Sequence, residues 1–113
     1  MSAVFDLGGI MEIKLRKKVE HKDVEYTELN IDLESLTGTD MIKANAKLRK
    51  AGVNIDDLMP VLNMEYQVLL AAKAANVPKE VIEQADARDF LAITMEVQSF
   101  LLDTASKEKQ KKA

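Results

Sequence analysis

Between Leu58 and Leu102 the chain carries more apolar helical surface than a small domain needs, and this surplus limits what it can become. The stretch LMPVLNMEYQVLLAAKAANVPKEVIEQADARDFLAITMEVQSFLL is dense in Leu, Val, Ile, Met and Ala. Its polar residues are mainly Lys, Glu, Gln and Asp, none placed for chemistry. A helix needs one apolar stripe to join a core, so further apolar faces demand either the centre of a bundle or a partner.

At 113 residues the chain is expected to form one domain with a modest core. It has no Cys, which leaves no disulfide framework and no thiolate metal site. With no secretory signal at the start, a cytoplasmic setting is expected. The longest uninterrupted apolar run, Val68 to Ala72, is too short for a membrane span. Charge is uneven. The tail from Lys107 to Lys112 holds four lysines against Glu108, a surplus of three, so the rest of a chain of net charge −3 sits near −6. A domain of that sign repels phosphate backbones, which argues against nucleic-acid binding.

Residues 1–10, punctuated by Gly8-Gly9, are expected to be a mobile leader. Met11, Ile13 and Leu15 then alternate with Glu12, Lys14 and Arg16, the period of a strand with one face buried. His21-Lys22-Asp23 suits a hairpin turn, and a second strand runs from Val24 to Leu33. Its phase slips between Tyr26 and Leu29, which predicts a bulge near Thr27-Glu28.

Helices follow. Thr37 or Thr39 caps the first, with Asp40 at the positive end of its dipole. Met41, Ala44, Leu48 and Ala51 give its apolar stripe, Lys43, Lys47 and Lys50 its solvent side, and Gly52 its stop. Pro60 suits the first turn of a central helix to about Ala75, with Asp56-Asp57 upstream and Asn76 as a left-handed stop. Pro78 reopens a short helix to Gln84 that carries Val81 and Ile82 inward. Asp86 caps a last helix to about Asp103. On it Phe90, Ile93, Val97 and Phe100 form one stripe, and Leu91, Met95 and Leu102 a second. Residues 104–113 form a basic tail expected to be disordered. The chain thus reads as α+β, an N-terminal β-hairpin followed by a small bundle of three to four helices over residues 11–103.

Reactive groups are sparse. His21 is the one histidine and stands in the expected turn, without neighbours at metal-ligand spacing. Asp56-Asp57 and the Asp86, Asp89 pair sit where helices start, and negative charge is favoured there without any acid–base role. Ser2, Ser35, Ser99 and Ser106 lack a nucleophile context. No catalytic, cofactor-binding or metal residue is assigned, and the chain does not read as an enzyme. Lys14, Arg16, Lys17, Lys18 and Lys22 form the one basic patch. No aromatic residue interleaves with them to stack bases, so a solvated strand edge is the expected role. Met64, Leu91, Met95 and Leu102 are the candidate face for a partner or for self-association, since a lone domain of this size struggles to bury both stripes of its last helix.

With these residues in view, the chain resembles the phage tail assembly chaperones, in particular the small family from long-tailed phages of the Mu and P2 types. The resemblance covers about residues 11–103. It is carried by the order and spacing of IKLRKKVEHKDVEYTELNIDL, LESLTGTDMIKA, NMEYQVLLAAKAANVP and ADARDFLAITMEVQSFL. It implies a protein of the infected cell's cytoplasm, absent from the finished virion, that keeps the long apolar tape measure protein soluble, as an oligomer, until the tube forms. It also implies a longer product of ribosomal frameshifting, which would recruit tail tube subunits, and no cofactor. Two other readings compete: a small regulatory or antitoxin-like protein touching nucleic acid, and a structural virion component.

Overall fold

Alternation of apolar and charged residues makes the first part of the chain a sheet. The computed structural model describes residues 4–6, 9–53 and 60–111, with side chains over 9–53 and 60–102. Strands β1 (Val4–Asp6), β2 (Ile10–His21) and β3 (Val24–Asp32) form one antiparallel sheet in that order. Met11 pairs with Ile31 and Ile13 with Leu29, and all four side chains are buried on the same face. Lys22 and Asp23 make the hairpin turn with φ of 50° and 66°. Two positive φ values in a two-residue loop match the right-handed twist of the strands they join. His21 lies at the end of β2, paired with Val24, rather than in the turn itself.

Two expectations for this region are corrected. Residues 4–6, read as part of a leader, pair with Glu12 and its neighbours as β1. The edge of β2 offers unpaired backbone groups, and Gly9, at φ 100°, lets the chain double back to meet them. The register does break opposite Thr27, but the extra residues belong to β2. Lys14 faces Glu28 and Val19 faces Tyr26, so Leu15–Lys18 stand opposite Thr27 alone.

A 3-10 turn at Leu33–Ser35 leads to α1 (Gly38–Lys50). Thr37 is its N-cap in a reciprocal capping box with Asp40. Ala44 and Leu48 face inward, while Ala51, expected in that stripe, is exposed at the C-cap. Gly52 at φ 83° ends the helix. Its amide donates to the Arg49 carbonyl and that of Val53 to Leu48, which satisfies two terminal carbonyls.

Asp56-Asp57 lie outside the described residues. The central helix starts later than Pro60. Pro60–Leu62 form a separate 3-10 turn, and Asn63 caps α2 (Met64–Ala75) by accepting from the Tyr66 amide. Tyr66, Val68, Leu70, Ala71, Ala72 and Ala74 are all buried, so α2 is the hub of the fold. Asn76 stops it in the left-handed conformation at φ 57°. Then come α3 (Lys79–Glu83), which buries Val81 and Ile82, and α4 (Ala87–Lys111). The helix continues through most of the tail expected to be disordered, because nothing from Ala87 to Lys111 is Gly or Pro and the last turns are rich in Ala, Lys, Glu and Gln. The fold is α+β, an N-terminal hairpin followed by four helices.

Gly9 is buried, and a Cβ placed there meets the Phe100 ring at 2.5 Å and the Glu34 carboxylate at 2.9 Å. Gly9→Ala should therefore lower stability by at least about 1 kcal/mol, from the positive φ and the clash together. Urea unfolding checks this; an unchanged midpoint would contradict the close packing of Gly9 against Phe100 and Glu34.

Candidate functional site

The last helix divides its apolar residues between two sides. Ile93 and Val97 are fully buried against the core, with Phe90, Phe100 and Leu101 packed beside them. The second stripe stays outside: Leu91 is 48%, Met95 57% and Leu102 39% exposed. Leu91 and Met95 are one turn apart, and Leu102 follows two turns on. Met64, at the start of α2, is 51% exposed. Gln98, between Met95 and Leu102, accepts a hydrogen bond of 3.1 Å from the buried Gln67 side chain, which also donates to the Val61 carbonyl at 2.6 Å. Met64 lies one turn before Gln67, so this polar pair joins α2 and α4 within a turn of both Met64 and the α4 stripe.

The position of α4 is set at its first turn. Asp86 caps it, accepting from the Arg88 amide at 2.9 Å and from the Arg88 guanidinium at 3.0 and 3.2 Å. Those Arg88 contacts hold the Asp86 carboxyl well below the usual carboxylate range, helped by Lys17 at 3.7 Å and opposed in part by burial. One turn on, Asp89 is fully buried and reaches the sheet. Its carboxylate accepts from the Arg16 amide at 2.8 Å and from the Arg16 guanidinium at 2.9 Å. The bulge in β2 makes this possible, because it frees the Arg16 amide from the ladder and turns it toward α4.

Arg16 is therefore not on the solvated outer face expected for it. The basic patch is also largely neutralised. Arg16 pairs with Asp89, Lys17 with Asp86, and Lys18 with Glu20 at 3.4 Å and Glu25 at 3.2 Å. A hollow of about 300 Å³ over the sheet is lined by Glu12, Lys14, Glu28 and Asn30, with Ile13 and Leu29 beneath. It holds no nucleophile or histidine. Among the described residues no group of three or more His, Asp or Glu could hold a metal, and no helix is long and apolar enough to cross a membrane.

Fold and surface together define a small α+β domain whose last helix leaves an apolar stripe in solvent. Over residues 12–102 the sequence matches the family described as "phage tail assembly chaperone proteins, E, or 41 or 14". The chain belongs to that family, and its general role is tail assembly. Comparison with curated proteins and with solved structures gives no match.

Some surface residues escaped the sequence reading. Leu62 is 51% exposed beside Met64, because the helix breaks at Asn63. An Asn three residues before a Tyr-Gln pair was the available sign of that cap. Ile42, 72% exposed on α1, is the most exposed large apolar side chain among the described residues. The Arg16–Asp89 pair spans 73 positions, and no local pattern announces it.

Two substitutions test this anchoring. Arg16→Ala leaves the buried Asp89 carboxylate with a single donor and should cost about 3 kcal/mol, read by urea unfolding. For Asp86, a folded value below the ordinary 3.8 means that its stabilisation is complete at neutral pH and fades as the solution is acidified below that point. Asp86→Asn keeps an N-cap acceptor, so acidification should then destabilise the protein less than it does the parent. An identical acid dependence in both would show that Asp86 is not responsible.

Proposed function

We propose that the protein binds the tape measure protein during tail morphogenesis and keeps it soluble, acting as an oligomer in the host-cell cytoplasm and leaving before the virion is complete. The single observation that supports this reading is the exposed stripe Leu91, Met95 and Leu102, with Met64 nearby, on a member of a tail assembly chaperone family. A tape measure protein is a long helical rod with apolar faces. Such a rod fits a surface that offers apolar contacts at helical spacing.

The energetics favour many weak contacts. Covering one Leu-sized side chain is worth about 1.5–3 kcal/mol. A few such side chains repeated along an oligomer give avidity without a strong single site. Release then needs no nucleotide hydrolysis, since tube subunits compete for the same rod. A longer frameshifted product would bring those tube subunits to it. The nucleic-acid alternative is weakened by the pairing of Arg16, Lys17 and Lys18 with carboxylates, which removes cations that phosphates would need.

Leu91→Lys combined with Met95→Lys should leave the fold intact, because about half of each side chain is in solvent. It should reduce oligomer mass in light scattering and abolish co-purification with the co-expressed tape measure protein. A folded variant that still carries the tape measure protein in full would remove this face from consideration.

A further inference from the structure

The groove between α1 and α2 has a different chemistry from the stripe. Its floor is Ala44, Leu69 and Leu70, its rim is Lys43 and Lys47 from α1 with Lys73 from α2, and it encloses about 170 Å³. Asp40 also lines it, but its carboxylate is engaged by the Thr37 amide and hydroxyl. Among the described residues none of the three lysines has an ion-pair partner. Three like charges around one small apolar floor repel each other until an anion enters. They do so on a chain whose net charge is −3.

The groove also lies away from Met64 and on other helices than the α4 stripe. Around α2, Leu69 and Lys73 lie about 140° and 180° from Met64. Packing of α1 is chiefly on α2. A ligand here need not compete with one on α4.

We propose that this groove docks an acidic amphipathic segment of a partner protein, with an apolar side chain on Ala44, Leu69 and Leu70 and carboxylates against Lys43, Lys47 and Lys73. Charge complementarity names the occupant. Nucleic acid fits less well, since the rim holds no Arg or aromatic residue and a phosphate backbone brings no aliphatic group for the floor. The proposal is independent of the tape-binding reading.

The test uses the full chain and a labelled helical peptide with Leu on one face and Glu on the other, followed by fluorescence anisotropy. Binding should weaken about tenfold when the peptide's Glu residues become Gln, or when the protein carries Lys43→Gln and Lys47→Gln. It should also fall steadily with added salt. It should be unchanged by Leu91→Lys with Met95→Lys, which separates this groove from the stripe. Both lysines are exposed, so their Gln variants fold, and circular dichroism verifies it. Equal binding of the Glu and Gln peptides, or full binding by the lysine variant, would overturn the proposal. So would a loss of lysine-variant self-association with peptide binding intact, or displacement of the peptide by a single-stranded RNA oligonucleotide at lower concentration than by free acidic peptide.

Discussion

A buried carboxylate ties the two halves of this molecule together. The sheet meets α2 through apolar contacts that resist separation but tolerate sliding. Asp89 removes that freedom on the α4 side, since it meets both a main-chain and a side-chain donor of Arg16 in fixed directions. Taking an ionised group out of water is costly and is sustained only with well-placed partners. The bulge in β2 supplies them. In a regular ladder, without the bulge, the Arg16 amide would be committed to a neighbouring strand. The irregularity in the sheet and the direction of α4 are thus one feature, and the outward stripe of α4 depends on it.

Much of this fold was legible because it is written in local chemistry. Thr37 with Asp40, Gly52, Asn76, Pro78 and Asp86 mark helix ends through interactions that reach no further than a turn. The second stripe of α4 was legible for the same reason, since helical periodicity is a property of adjacent residues. What stayed hidden needs knowledge of distant neighbours. Val4–Asp6 carries too few residues to display a period, and its pairing depends on the free edge of β2. The bulge on the β2 side of the hairpin meets Asp89, a residue far along the chain. Leu62 was misplaced because Pro60 is as compatible with a 3-10 turn as with the first turn of an α-helix.

The two surfaces singled out here differ in the kind of selectivity they can exercise. An apolar stripe discriminates little among greasy helices. A lysine-rimmed groove discriminates by charge and responds to salt. The two lie on different helices, the stripe on α4 and the groove between α1 and α2.

The length of α4 carries one more implication. Among the described side chains of this helix Leu101 is the last packed on the core, and the helix backbone runs on to Lys111. Ten further residues at helical rise extend about 15 Å. With neither Gly nor Pro to bend it, that extension behaves as a stiff spar rather than a tether. Its far end therefore stands at a set distance from the domain.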